Sequence, residues 1–244
     1  MNGQKLIYKI PIFITARGHN DNVFKKNKEA LKFSYVFIRN QNMTDQTFII
    51  SDNKDMLQYA LELGFKNVIH YPCNSDLDIK YLEYLATYKY SRENNYLPDW
   101  IILLNINQLF LTTKLLVTCI NSIDDKYDII TSYTEISDRS NFFVDESINN
   151  KESNKHLLSE EYHRVKMSDA AIYAIKTSFA YKCMENEDPA KYFWGGKIKF
   201  IKNTSLYTDI YSINDIYKIY DAFSILEEVK KIYWFFKKWL VLSV

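Results

Sequence analysis

No CxxC pair occurs anywhere in the 244 residues. The three cysteines, Cys73, Cys119 and Cys183, are odd in number and far apart, which argues against a disulfide framework or structural zinc and for a reducing compartment. The histidines, His19, His70, His156 and His163, show no metal-ligand spacing either. A surplus of one charge is also missing. Thirty-one Lys and Arg against 30 Asp and Glu leave a net charge of +1, which excludes a general nucleic-acid binder. No apolar run reaches the roughly 20 residues needed to cross a bilayer. No signal peptide precedes the first apolar run, so the cytoplasm is the expected compartment. Internal repeats and low-complexity tracts are absent. The 20 Tyr and 15 Phe, beside much Lys, Asn and Ile, fit an AT-rich genome and carry no functional reading.

What is present is alternation. Apolar β-type runs lie at 10–14, 47–50, 67–70, 100–104, 128–131, 171–175 and 198–201. Between them come helical stripes. Met56, Leu57, Ala60, Leu61 and Leu63 share one face and stop at Gly64, a C-cap, while 79–90 and 114–123 read the same way. This pattern predicts one α/β domain over 1–244, with a mainly parallel sheet covered on both faces. Two segments depart from it. The polar stretch 137–166 has no clear period and reads as a surface loop, a subunit-contact arm or a flap. A helix expected over 217–244, entered through Ile216, ends in KKIYWFFKKWLVLSV. Its aromatic and basic residues suit packing on the domain or a second subunit, or a peripheral membrane contact.

The first strand stops at a polar turn, ARGHNDNVFKKN over 16–27. A strand that gives way to a basic turn before a helix is where many α/β proteins hold phosphate. Arg17 can fork onto two phosphate oxygens and Lys26 can add a point charge, although Arg17 also suits a surface ion pair. Asp52, ending its strand, either caps the next helix or faces a ligand. Asn105 follows the WIILL strand, where open α/β sheets bind ligands, and equally suits a structural turn. Asp76-Leu77-Asp78 has the letters of a glycosyltransferase metal motif but lies at a loop-to-helix start, where capping fits better.

The strings together resemble the CMP-sugar synthetases, the acylneuraminate cytidylyltransferase family, from about Lys9 to Phe223. The family's A-R-x-x-S-K-G-x-x-x-K-N loop is matched at Ala16, Arg17, Lys26 and Asn27. Its S-x-D is similar to Ile50-Ser51-Asp52, its L-L-Q-P-T-S-P-L-R-T to LLNINQLFLT at 103–112, and its N-G-A-I-Y-I strand to Asp169 through Ala174. Its I-D-I-D-T-x-x-D resembles Thr208 through Asp215.

The resemblance implies a nucleotidyltransferase-like fold and transfer of CMP from CTP to a sialic-acid-like sugar acid for surface polysaccharides. The nucleotide would lie on Arg17, Gly18, Asn22, Lys26, Asn27, Asp52 and Asn105, with Arg17 and Lys26 catalytic. It implies Mg²⁺ on Asp209, with Asp215 in reserve, and a homodimer formed through 137–166. Such a transfer asks the protein for cations around the phosphates and alignment of the attacking hydroxyl. Departures concentrate at the chemistry. The family's loop lysine is Asp21, its loop glycine Asn22, its arginine Leu111 and its second metal carboxylate Tyr211. Each unit of the charge reversal at Asp21 is worth about 4 kcal/mol at roughly 4 Å and an effective dielectric near 20. A paralogue that binds a nucleotide or a partner without turnover, and a glycosyltransferase on the same fold, are the alternative readings.

Overall fold

Each of the seven apolar runs forms a strand: β1 (Ile12–Thr15), β2 (Thr47–Ser51), β3 (Asn67–His70), β4 (Trp100–Leu104), β5 (Ile129–Ser137), β6 (Arg164–Lys176) and β7 (Ile198–Lys202). The computed structural model describes residues 10–71, 97–137, 164–186, 194–205, 208 and 210–224. The stripe at 79–90, Asp76 and Asp78, residues 138–163, Asp209 and the tail beyond Ser224 lie outside them. The sheet order is β3-β2-β1-β4-β6-β5-β7. β1 pairs in parallel with β2 and β4, β2 with β3 and β5 with β7, while β6 runs antiparallel between β4 and β5. The sheet is mixed but mostly parallel, as expected.

The helices are α1 (Asp21–Asn40), α2 (Lys54–Leu63), α3 (Thr113–Asn121), α4 (Thr177–Met184) and α5 (213–224). Alternation along the strands divides the core. Ile12 and Ile14 of β1 join Leu31 and Ile38 of α1, Met56 and Ala60 of α2, and Leu115, Leu116 and Cys119 of α3. Phe13, between them, turns the other way to Ile50, Ile101, Leu103 and the α4 residues Phe179, Ala180 and Cys183. Each such large apolar side chain, fully buried, contributes about 1.5–3 kcal/mol. Cys119 and Cys183 lie buried in the two separate cores, and burial pushes the Cys119 thiol up to about 12.

Local chemistry sets the ends. Gly64 closes α2 at φ 111°, in the left-handed region that favours glycine, and so is the expected C-cap. Before α5, Asp215 accepts from the backbone N–H of Ser212 (2.9 Å) and of Tyr211 (3.2 Å) and from the Ser212 hydroxyl (3.0 Å). Those bonds hold its carboxyl below the usual range, the Ser212 backbone N–H first among them. α5 returns to the domain: Ile216 is fully buried, Tyr220 stacks on Phe33 and Phe223 meets Phe110 edge-on.

Two expected boundaries move. α1 begins at Asp21, because Asn20 caps it by accepting from Val23 N–H at 3.0 Å. Lys25, Lys26 and Asn27 are therefore helical rather than the end of a loop, and Asp21 is the first helical residue rather than the middle of one. The β5–β6 ladder runs out to Ser137 opposite Arg164, so the ends of the 137–166 stretch are paired strand. No helix among the described residues is long and apolar enough to cross a membrane.

Candidate functional site

At the carboxyl ends of β1 and β4 lies a cavity of about 430 Å³, lined among others by Thr15, Arg17, His19, Lys26, Asn27, Asn105, Asn107, Ala170 and Tyr173. One wall is the β1–α1 turn, held against the β2–α2 turn. Gly18 N–H donates to Asp52 Oδ1 at 2.7 Å, and Asn53 Nδ2 donates to the Gly18 carbonyl at 3.0 Å. The approach is close: a Cβ on Gly18 would meet the Asn53 Cβ at 2.6 Å. Asn27 Nδ2 donates to the Arg17 carbonyl at 2.8 Å, tying the turn to α1.

Polar groups on this wall are left over. Six buried side-chain nitrogen or oxygen atoms among the described residues lack a hydrogen-bond partner, and four of them are here: Nε and Nη2 of Arg17, Oδ1 of Asn27 and Oδ2 of Asp52. Arg17 Nε lies 3.9 Å from Asp52 Oδ2, and His19 Nδ1 lies 4.0 Å from the same oxygen. Both are ion-pair distances, too long for hydrogen bonds.

The opposite wall is the turn after β4 with the β5–β6 bulge. Asn105 Oδ1 accepts from Asn107 N–H at 3.0 Å, and Asn107 Oδ1 accepts from Lys26 Nζ at 2.6 Å, across the cavity. Lys26 Nζ also lies 3.4 Å from the Ile210 carbonyl. Behind them, Thr208 accepts from Leu109 N–H (2.9 Å) and donates to the Asn107 carbonyl (3.1 Å). Buried Asp169 accepts from Ser132 Oγ, from Ala171 N–H (3.1 Å) and from Asn203 Nδ2 (2.8 Å). These bonds hold the bulge and place Ala170 on the cavity with φ 51°, a left-handed conformation. The resemblance puts a glycine at that position.

Of the residues singled out in the sequence, Arg17, Lys26, Asn27 and Asn105 line the one cavity, and Gly18 and Asp52 brace it. Asn105 closes a turn and also faces the cavity. Asp52 does not cap α2; Asn53 does, accepting from Asp55 N–H at 2.8 Å and Met56 N–H at 3.1 Å. Asn22 is the second residue of α1, exposed and not among the lining residues. The sequence reading gave no role to His19, Asn107 or Tyr173, although Asn107 and Tyr173 stand in strings that carry the resemblance.

A divalent cation fits these walls poorly. Among the described lining residues are an arginine, a lysine, a histidine and amides, with no carboxylate, whereas Mg²⁺ prefers one or two carboxylates. Nor do the described residues group three His, Cys, Asp or Glu where they could hold a metal. Asp215 is engaged at the α5 N-terminus, and Tyr211, in the place of the family's second carboxylate, is 81% exposed.

No protein-family model matches the chain, and no curated protein matches it. Solved structures do. CMP:2-keto-3-deoxy-manno-octonic acid synthetase complexed with CTP matches with a TM-score of 0.61 at 14% identity, covering 88% of this chain and 98% of that one. The 4-diphosphocytidyl-2C-methyl-D-erythritol synthase of Anaerococcus prevotii matches at 0.56 and 13%, covering 85% and 94%. HddC of Yersinia pseudotuberculosis complexed with GMP-PN matches at 0.56 and 12%, covering 88% and 99%. The fold is that of the nucleotidyltransferases. At such identity the likeness establishes architecture, the nucleotide-diphospho-sugar transferase type, and not chemistry.

Proposed function

We propose that the cavity binds a nucleoside triphosphate with its phosphates on Arg17 and Lys26, and that the chain transfers CMP from CTP to a sialic-acid-like sugar acid for surface polysaccharide synthesis. One observation carries this reading: two cationic side chains line the cavity, and two buried guanidinium nitrogens of one of them, Nε and Nη2 of Arg17, have no hydrogen-bond partner. Buried polar groups are normally satisfied, so a cluster of orphans marks the place of a polar ligand. In the transfer, the sugar's hydroxyl oxygen attacks the α-phosphorus and releases its proton to water, the bond to pyrophosphate breaks, and the two cations offset the charge that leaves. Asn105 faces the same cavity and suits a base edge or a ribose hydroxyl. One structural neighbour is complexed with CTP and another with GMP-PN, so the fold leaves the base open and the resemblance favours cytosine. A cytoplasmic homodimer formed through 137–166 belongs to the same reading.

Binding without turnover is a second reading, favoured by the lack of a carboxylate among the described lining residues. Two measurements separate the readings. Thermal melting with CTP or GTP at 100 times its dissociation constant gains about 2.7 kcal/mol if the site is real. Arg17→Ala and Lys26→Ala each remove a charge-assisted contact worth about 1.5–3 kcal/mol of that binding. Pyrophosphate release from CTP with a sugar acid then marks transfer. Melting indifferent to every nucleotide, or binding unchanged in Arg17→Ala, removes the phosphate site.

A further inference from the structure

We propose that His19 is the third cationic group of this site, taking up a proton as the nucleotide binds, with one ring N–H turned to Asp52 and the other to phosphate. The inference rests on the nucleotide reading and adds a residue to it that the motif resemblance does not contain. Asp52 is fixed: its side chain is 5% exposed, and Oδ1 already accepts from Gly18 N–H at 2.7 Å. Only Oδ2 remains, buried and without a hydrogen-bond partner. His19 Nδ1 lies 4.0 Å from it, so the ring must move about 1 Å inward to close the bond. The same imidazole lines the cavity and is 32% exposed, so a ligand there can reach it.

Counting donors decides the protonation state. A neutral imidazole has one N–H and an imidazolium two. Satisfying the Asp52 oxygen on one side and a phosphate oxygen on the other requires both. The charged groups facing His19 agree with this. Asp52, from the β2–α2 turn, is the negative charge facing it, and Arg17, 3.9 Å from the same carboxylate oxygen, and Lys26 are positive charges that a bound phosphate would offset. Tyr173 of β6 is the other titratable lining group, and Asn105 and Asn107 carry no charge. Asp21, where the family's loop has lysine, is exposed in the first turn of α1 and brings no positive charge, so His19 supplies one from two residues away.

The test is calorimetric titration of the full chain with CTP, and with GTP if CTP gives no heat, from about pH 5.5 to pH 8. Wild type, His19→Gln and His19→Lys are compared. Wild-type affinity falls by up to about tenfold per pH unit as the proton becomes unavailable. His19→Gln binds weakly and His19→Lys tightly, both with flatter profiles. The terminal phosphate of the nucleotide also titrates in this window, so the reading is the difference in slope between proteins. Melting temperatures confirm that both variants fold. Equal slopes in all three overturn the role of His19 and leave the phosphate site standing. Absence of binding by every nucleotide at every pH overturns both.

Discussion

The two walls of the cavity are built from the same kinds of residue but differ in what they leave unpaired. On the β4 and β6 side the polar atoms close on one another: Asn105 on Asn107, Thr208 on the following turn, and Asp169 on Ser132, Ala171 and Asn203. On the β1–α1 side four buried atoms of Arg17, Asn27 and Asp52 have no hydrogen-bond partner. Each such atom costs about 1–3 kcal/mol if nothing satisfies it. Four on this side, against the single Ser168 Oγ at the bulge of the facing wall, mark the first wall as the one with polar atoms left for binding. The first wall is therefore the binding surface, and the second is the frame that fixes its distance. Lys26 joins them, standing on the first and donating to the second.

The comparison breaks most readily at Gly18. With the Asn53 Cβ only 2.6 Å from where a Gly18 Cβ would be, Gly18→Ala must push the two turns apart. Overpacking of this kind costs about 1–3 kcal/mol. The Asp52 bond to Gly18 N–H and the Asn53 bond to its carbonyl are strained together, so nucleotide-induced stabilisation is lost along with part of the fold. Thermal melting with and without CTP checks both. A variant as stable as the parent would show that the turns have slack.

On the second wall the same exchange, reversed, stabilises. Ala170 holds φ 51°, which costs an L-residue roughly 1–2 kcal/mol, and glycine returns part of that gain through its greater freedom when unfolded. Ala170→Gly therefore raises stability by about 0.5–1 kcal/mol. Its effect on nucleotide affinity is smaller than that of Gly18→Ala, because the frame keeps its hydrogen bonds. Urea unfolding measures the first quantity and calorimetry the second. A loss of stability would mean that the Ala170 methyl packs usefully against the cavity.

The central strands β1, β2 and β4 were legible because each is a short, almost wholly buried apolar run between polar residues, and burial on both faces leaves little else for such runs to become. Helix α1 was not bounded correctly. Its inward stripe includes Asn27 and Ser34, which blur the apolar period. Helix α4 went unread, since TSFAYKCM is two turns long and shows too little of a repeat. At the site, the spacing of Arg17 and Lys26 was visible, but the division of labour at Asp52-Asn53 was not. Both residues are good caps, and only geometry shows that Asn53 caps while Asp52 reaches back to Gly18. His19 is a lone histidine in sequence and acquires a partner only when β1 and β2 lie side by side.

The smallest effect is expected at Asp21, where the sequence suggested the largest. Read as the middle of a phosphate loop, an aspartate there repels a triphosphate, and lysine would strengthen binding strongly. As the first residue of α1, exposed and capped by Asn20, it has a different task. A carboxylate in the first turn is stabilised by the positive end of the helix dipole, by about 0.3–1 kcal/mol at low ionic strength. Asp21→Lys exchanges that attraction for a repulsion, so it destabilises the domain by an amount in or slightly above that range. Its effect on nucleotide affinity acts through solvent rather than by contact, because Asp21 is not among the residues that line the cavity. Such an effect is a modest gain that fades as salt approaches physiological strength, where the screening length is about 8 Å. Melting curves and CTP titrations at two salt concentrations check both halves. A gain in affinity that persists at high salt would place Asp21 against the phosphates and move the binding surface out from the orphaned wall to the helix end.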